Sequence, residues 1–319
     1  MSNINKIEVG GVAYNIEDTE ARRLAQNNSG GSSGGGIGVV DGADMTTLFA
    51  AEINAVPFSG NVWAWIQARI KAGNFAGLSV GDFIPFTAAG NNYKAEIAGI
   101  NTYKNYGDTS VGNHIDFITR DCHPDAFVWN RANYNNGTSV SNSPWLASDL
   151  YARLNSLQQN VPNATTANPA MVSADYRTAG IFNTLPAALQ NVIIEKRLLI
   201  PTRFTSGALL VDDNSWAWHN VGKLWLPYEF EVYGAIAFGS TVANQHYMQT
   251  GGFIQYPLFA HNMRRVKGAG DGGARATWWL ASAHGGHSTI VCSVTAHGSA
   301  NPSTASTTNI RAPLCFRVS

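Results

Sequence analysis

The sequence predicts an α+β domain preceded by a small β unit. Two helical segments lie between early and late β-like segments, so we expect the ends of the domain to meet in one sheet. Strands and helices do not alternate as a repeating βαβ array. Of the 319 residues, 45% are hydrophobic, and this fraction is ample for a packed core.

The charge balance argues against two classes of partner. Lys plus Arg and Asp plus Glu number 21 each, so the net charge is zero, and no summed field attracts nucleic acid or an anionic membrane. No window of 18 residues is uninterruptedly apolar, and the start lacks the basic and apolar pattern of a secretory signal. We therefore expect no nucleic-acid partner, no membrane insertion and no conventional export.

The cysteines predict neither a disulfide framework nor a metal knuckle. Cys122, Cys292 and Cys315 are few and odd in number, and no CxxC spacing occurs. We expect three buried thiols.

The first forty residues predict a small unit and a tether. Residues 4–16 alternate around Gly10 and Gly11, as in a hairpin with a glycine-permitted turn. Residues 17–26 have acidic residues early and arginines later, which suits a short helix. Residues 27–38 are rich in Gly and Ser and predict a flexible tether. The predicted divisions are an N-terminal unit over 1–27, a linker over 28–40 and the main domain over 41–319.

Capping and turn residues predict the first elements of the main domain. Asn61 can cap a helix that runs to Lys71 and is ended by Gly73. Residues 82–100 then predict a hairpin that turns near 90–92.

Three further helices and a β-rich end complete the predicted domain. One helix starts at Ser148, another spans about Leu185–Lys196 with Pro186 in its first turn, and a short helix follows Pro227. Beyond Ala276, apolar residues separated by Gly, Ser, Thr and Asn predict strands.

Two histidine-containing clusters are weighed as reactive sites. His284, His287 and His297 could ligate a metal, but no acidic residue follows Asp271 to support them, so exposed loop histidines are the favoured interpretation. A second cluster could supply a Cys–His nucleophile, but it has no orienting partner at a known spacing, so turn residues before Pro124 are favoured. Its members are His114, Asp116, Asp121, Cys122 and His123.

Two other segments offer a calcium site and a sugar-stacking site. Residues 212–214 (Asp-Asp-Asn) lack the alternating pattern of a calcium loop, so a solvated turn is favoured. Trp216, Trp218 and Trp225 could stack on sugars, but core packing is favoured for at least two of them. No serine elbow, phosphate-binding loop or paired-carboxylate motif occurs. We expect no enzyme, no cofactor and no metal site.

The segment from Leu280 to Arg311 has a biased composition. These 32 residues are mostly small or short and polar, and they include no Lys, Gln, Glu, Met or Trp. An ordinary Ser/Thr/Gly-rich surface loop is the alternative explanation.

Six segments resemble, in order, a domain of unknown function that is common in phage tail proteins. That family is placed with the C-type lectin-like and formylglycine-generating-enzyme folds, and the resemblance covers nearly everything after about residue 45. The segments are SVGDFIPF (79–86), IAGIN (97–101), NNGTSVSNSPWLASDLYARLN (135–155), LWLPYEFEVYG (224–234), YPLF (256–259) and WWLAS (278–282).

The ending resembles the variable region of proteins that diversity-generating retroelements target, which here would lie at about 280–311. Those elements alter adenines, and asparagine codons altered at their adenines cannot encode the five missing residue types. The resemblance implies that Cys292, Val294, Ala305 and Ser306 occupy fixed places. The end of the chain departs from the family pattern at Ala281 and at 310–313. The positions implied to vary and to bind ligand are His284, Gly286, His287, Ile290, Ser293, Thr295, His297, Pro302, Ser303, Thr304, Thr307 and Asn309.

The resemblance implies a phage receptor-binding protein carried on the virion tail and made in the host cytoplasm. Its partners would be a bacterial surface protein or glycan and the tail or baseplate proteins, to which the unit over 1–27 would dock. A homo-oligomer, with a trimer favoured, is implied as well. The alternatives are a formylglycine-generating-type oxidase, for which Cys292 and Cys315 are the available C-terminal pair, and a structural tail subunit that binds no receptor.

Overall fold

The computed structural model describes six ranges of the main domain and two short strands before it. The ranges are 42–106, 111–137, 143–163, 170–202, 216–239 and 254–319, with the backbone of 6–9 and 12–15. The chain is a mixed helix and sheet protein in which 33% of residues are strand and 19% are helix, and its sheet is a curled antiparallel half-barrel. The predicted α+β class is therefore confirmed at this level, with strands predominating.

The N-terminal hairpin is confirmed. Strands β1 (Lys6–Val9) and β2 (Val12–Asn15) pair antiparallel, with Val9 opposite Val12 across the two glycines. The predicted helix over 17–26 and the tether over 27–38 lie outside the described residues.

Three helices open the main domain: α1 (Met45–Leu48), α2 (Ala50–Asn54) and α3 (Val62–Lys71). The Asn61 side chain accepts a hydrogen bond from the Ala64 amide at 3.1 Å, which satisfies a helix donor that would otherwise lack a partner. The predicted helix up to Lys71 is thus confirmed.

The main sheet has five antiparallel strands in the order β3-β4-β5-β16-β8. Ala89 and Gly90 form the turn between β3 and β4, with φ of 47° and 77°, as a two-residue turn with two positive φ angles requires. The strands are β3 (Phe83–Ala88), β4 (Asn91–Ile100), β5 (Ile115–Cys122), β8 (Ile193–Ile194) and β16 (Pro313–Val318). The last strand of the chain pairs with β5, so the prediction that both ends of the domain meet in one sheet is confirmed.

An aromatic cluster fixes helix α3 against this sheet. The rings of Phe117 and Phe316 stack with centroids 5.4 Å apart, and Trp63 of α3 meets both rings edge-on. Such contacts add to the large area that each ring buries.

The middle of the chain is made of short elements. They are α4 (Asp149–Leu154), β6 (Gln158–Pro162), β7 (Met171–Asp175), α5 (Ala187–Gln190), β9 (Arg197–Pro201), β10 (Trp216–Asn220) and α6 (Glu229–Tyr233). The helices predicted at Ser148 and after Pro227 are confirmed. Within the described ranges, three 3₁₀ turns cover Phe182–Thr184, Pro257–Ala260 and Asn262–Arg265.

The predicted helix over Leu185–Lys196 is wrong for most of its length. Only α5 is helical, and the next residues form β8, where Ile193 pairs with Val318 and Ile194 with Arg317. Pairing with a distant strand overrides the local helical pattern here.

The C-terminal part adds a separate sheet of three strands in the order β13-β14-β15. The strands are β13 (Trp278–Ala283), β14 (Ile290–Val294) and β15 (Ala300–Thr304), and they follow a short pair, β11 (Lys267–Gly268) and β12 (Arg275–Ala276). The predicted β-rich end is confirmed.

Within the described ranges, no helix combines the length and the apolar character needed to cross a membrane.

Candidate functional site

The three-stranded sheet is anchored by its first strand. The indole nitrogens of Trp278 and Trp279 donate to the carbonyl oxygens of Arg265 and Phe127 at 2.8 and 2.7 Å, and neither tryptophan is exposed. Strand β13 therefore belongs to the core, while β15 forms the opposite edge of the sheet.

Strand β15 and the turns at its ends form a continuous rim. The turns over 284–290 and 305–309 meet at one end, because Ile290 pairs with Thr304, and the turn over 295–299 closes the other end. Five strand residues separate the two ends by about 14 Å. We call β15 with the turns 284–290, 295–299 and 305–309 the rim.

Most of the positions that the family resemblance implies to vary are accessible on the rim or on β14. Five are exposed: His287, His297, Pro302, Thr304 and Asn309. Five more are half-buried: Gly286, Ile290, Thr295, Ser303 and Thr307.

His284 and Ser293 are buried, so they do not fit a patch that contacts a ligand. The expectation of exposed loop histidines is therefore wrong for His284. The Ser293 hydroxyl lies 3.1 Å from the carbonyl oxygen of Asn301 and 2.8 Å from the Ser303 hydroxyl. His284 Nδ1 accepts from the Gly286 amide at 2.9 Å, and its ring stacks on Phe238. Burial, and next the neighbouring His287, lower the pKa of His284.

The pleat of the strands distributes the accessible positions over two faces. Ile290 and Thr304 are opposite each other, and Ser303 next to them points to the other face together with Ser293. Pro302 and Thr304 are exposed on one face of β15 and Ser303 is half-buried on the other, so both faces of this edge strand reach solvent. Pro302 fits this edge strand, because its nitrogen carries no hydrogen and need not donate to the ladder there.

The places that the resemblance implies to be fixed are mostly buried. Cys292, Val294 and Ala305 are each 0% exposed, and Ser306 is half-buried. The Ala305 carbonyl oxygen accepts from the amides of Trp129 and Asn130, so this turn is tied to the core through its main chain.

Asn135 binds the turn over 284–290 through main-chain atoms. Its side-chain amide donates to the carbonyl oxygens of His287 at 2.6 Å and Ile290 at 2.7 Å, with a longer contact of 3.4 Å to that of His284. Its own backbone amide donates to the Ser288 carbonyl oxygen at 2.7 Å.

Glu229 supports the same turn through the main chain of Phe238 and Gly239. Its buried carboxylate accepts from the amides of Phe238 and Gly239 at 3.1 and 2.7 Å. The Phe238 carbonyl oxygen in turn accepts from Gly285. Burial raises the pKa of Glu229, although these amides oppose the shift. Asn135 and Glu229 both lie in segments that carry the family resemblance, but the sequence assigns neither a role. Their contacts with the turn over 284–290 join residues far apart in sequence, and a local pattern does not reveal such contacts.

The cluster around His114 is a strand and not a turn. Residues 115–122 form β5, and the carboxylate of Asp116 is bound by both Nε and Nη2 of Arg317 at 2.7 and 2.8 Å. The expectation of turn residues is therefore wrong for most of this cluster; only His123 follows the strand before Pro124. Burial raises the pKa of the Cys122 thiol to about 12, which does not suit a nucleophile.

All three cysteines are buried and free, as predicted. Burial raises the pKa of both Cys292 and Cys315 well above its ordinary value. The two lie on different sheets, on β14 and β16.

The remaining candidates divide between the core and undescribed segments. Trp225 is fully buried and Trp218 is half-buried against the core, while the Trp216 side chain and residues 212–214 lie outside the description. The rings of His284 and His287 lie 4.8 Å apart. Among the described residues, no three His, Cys, Asp or Glu side chains are grouped so as to hold a metal.

Comparison of the chain with protein-family models, with curated proteins and with solved structures found no match in any of the three. These comparisons therefore assign neither a fold name nor an activity to this chain.

Proposed function

We propose that this chain is a phage receptor-binding protein with a C-type lectin-like domain, which binds a bacterial surface protein or glycan through the rim. It acts as an adhesin on the virion tail and needs neither catalysis nor a cofactor. The unit over 1–27 docks it to tail or baseplate proteins, and a trimer of chains presents several rims at once.

One observation carries the proposal: three of the four positions implied to be fixed are buried, and most of the positions implied to vary are not. Cys292, Val294 and Ala305 have no exposed surface, whereas ten of the twelve implied variable positions reach solvent. Exposed substitutions away from special features change folding free energy by less than about 0.5 kcal/mol. A surface of this kind can change its partner while the fold is kept.

The rim suits a polar partner without charge. Its accessible side chains offer hydroxyl, amide and imidazole groups, which adapt their hydrogen bonds as the polar residues of antibody loops do. Single contacts of small side chains are weak, and several rims on one particle raise the avidity because later contacts become intramolecular.

The test is binding of the fluorescently labelled protein to a panel of bacterial isolates, measured by flow cytometry. A variant with the five exposed variable positions of the rim replaced should fold as before and lose binding at least ten-fold on an isolate that the unchanged chain binds. Its substitutions are His287→Ser, His297→Ser, Pro302→Ser, Thr304→Ala and Asn309→Ala.

The control carries Gln158→Ala, Met171→Ser and Arg177→Ala on or beside the hairpin β6–β7, where the three side chains are also exposed. It should bind as the unchanged chain does. Equal binding by all three proteins would contradict the proposal, because the binding surface would then lie outside the rim. Absence of binding to every isolate would favour a structural tail subunit.

A further inference from the structure

We propose that Asn135 is a positioning residue that fixes the main-chain path of the turn over 284–290, whichever side chains that turn carries. The inference deepens the proposed function and rests on it for the use made of the turn. It concerns how the turn keeps its shape while accessible positions such as His287 and Ile290 change.

The side-chain N–H groups of Asn135 donate only to main-chain acceptors. A side-chain amide has two N–H groups, and the bonds of 2.6 and 2.7 Å to the carbonyl oxygens of His287 and Ile290 use both of them. The contact of 3.4 Å to His284 is at most a shared, weak bond. Since every residue type has a carbonyl oxygen, these bonds survive a change of side chain.

The rest of the turn is also held by its backbone. The Ser288 carbonyl oxygen accepts from the Asn135 amide, and the Thr289 carbonyl oxygen accepts from the Ala305 amide at 2.9 Å. The Gly285 amide donates to the Phe238 carbonyl oxygen, also at 2.9 Å. One bond depends on a side chain of the turn, the one from Gly286 to His284 Nδ1, and His284 is buried.

The Asn135 side chain, which we call the clamp, is itself buried and hydrogen-bonded. Asn135 is 0% exposed, and its Oδ1 accepts from the Gly137 amide at 2.9 Å, which directs the NH₂ group toward the turn. Next to it, the Asn130 side chain donates to the Tyr134 carbonyl oxygen at 2.6 Å and the Asn136 side chain to that of Pro144 at 3.1 Å. A buried donor that loses its acceptor costs free energy, so the turn and the clamp hold each other in one arrangement.

Asn135→Asp tests the clamp because it keeps the size of the side chain and removes both donors. The readout is hydrogen–deuterium exchange by mass spectrometry. Protection of the peptide over 283–291 should fall at least ten-fold, while protection of β5 and β16 stays within two-fold of the unchanged chain.

Asn155→Asp is the matched control. The Asn155 side chain also donates to two main-chain carbonyl oxygens, those of Leu224 at 2.7 Å and Tyr151 at 3.1 Å, but in another part of the fold. It should leave protection of the turn unchanged. Equal loss of protection in all peptides of Asn135→Asp, or no loss in the turn, would overturn the inference.

A second set of variants keeps Asn135 and changes side chains of the turn. If Asn135→Asp does not fold, these variants alone test the inference. His287→Asn, His287→Tyr, Ile290→Ser and Ile290→Asn should each keep turn protection within two-fold. A ten-fold change in any of them would overturn the inference. Hydrogen–deuterium exchange measures the turn and not receptor binding. A negative exchange result therefore does not affect the cell-binding result, and a negative cell-binding result does not affect the role inferred for Asn135.

Discussion

At the scale of single residues, the dominant feature is a set of charges buried between the main sheet and helix α6. Asp116 and Arg317 form a two-point ion pair, and Tyr256 donates its hydroxyl to the same carboxylate at 2.9 Å. Lys196 pairs with Glu231 in the same region, and neither side chain is exposed. Burying charges is costly, so removal of one partner leaves the other uncompensated.

Asp116→Asn should therefore destabilise the protein by about 3–5 kcal/mol, because Arg317 would keep its charge without a carboxylate. Urea unfolding followed by tryptophan fluorescence measures the loss. Asp175→Asn is the control, since its pair with Arg177 is exposed, and we expect no measurable shift of its midpoint. Equal midpoints for both variants would contradict the role of the buried pair.

The same pair predicts a dependence of stability on pH. Burial alone would raise the pKa of Asp116, but the Arg317 guanidinium outweighs it and lowers that pKa to about 2. In the unfolded chain the value is about 4. The stabilisation is thus present above about pH 4 and is lost as the pH falls toward about 2.

The stability difference between the unchanged chain and Asp116→Asn should consequently shrink between these pH values. Urea midpoints of the two proteins at a series of pH values test this. A difference that stays constant down to pH 2 would show that Asp116 does not titrate as its surroundings require.

At the scale of elements, the rim and the strand beneath it should respond differently to substitution. Leu280 of β13 is 0% exposed, and Leu280→Ala should cost about 2–5 kcal/mol. Thr304→Ala on the exposed edge should cost less than about 0.5 kcal/mol. Thermal unfolding of both variants measures the contrast, and similar losses would mean that the edge is part of the core.

Elements with local signals could be predicted from the sequence. Helix α3 shows a capping Asn61 and an apolar period, and the hairpin at Gly90 shows its turn residues. Strand β8 could not be found in this way, because its pairing partner Arg317 lies more than a hundred residues away.

The candidate site was predictable only in part, for the same reason. Asn135 looks like a loop residue until the turn it holds is in place. Outside the rim, Asp116 looks like a turn residue until its contact with Arg317 is known. His284 and Ser293 share the small polar composition of their neighbours, and burial alone separates them from the accessible positions.

At the scale of the whole molecule, the proposed adhesin has a binding surface with few charges. No Asp, Glu, Lys or Arg occurs between Arg275 and Arg311. Exposed charge pairs are screened by salt, whereas uncharged polar contacts are much less affected. Binding to a responsive bacterial isolate should therefore change less than three-fold between 0.05 and 0.5 M NaCl, estimated as an order of magnitude from this screening. A steep loss with salt, measured by flow cytometry, would point to a charged surface elsewhere on the chain.

A saturation scan of the twelve implied variable positions, with folding and cell binding scored for every variant, tests whether the binding surface can change while the fold is kept. At the ten accessible positions, nearly all substitutions should keep the fold while many change binding; at His284 and Ser293, folding should suffer first. If folding and binding are instead lost together at the accessible positions, the fold and the binding surface are not separable, and the rim is not a replaceable binding surface.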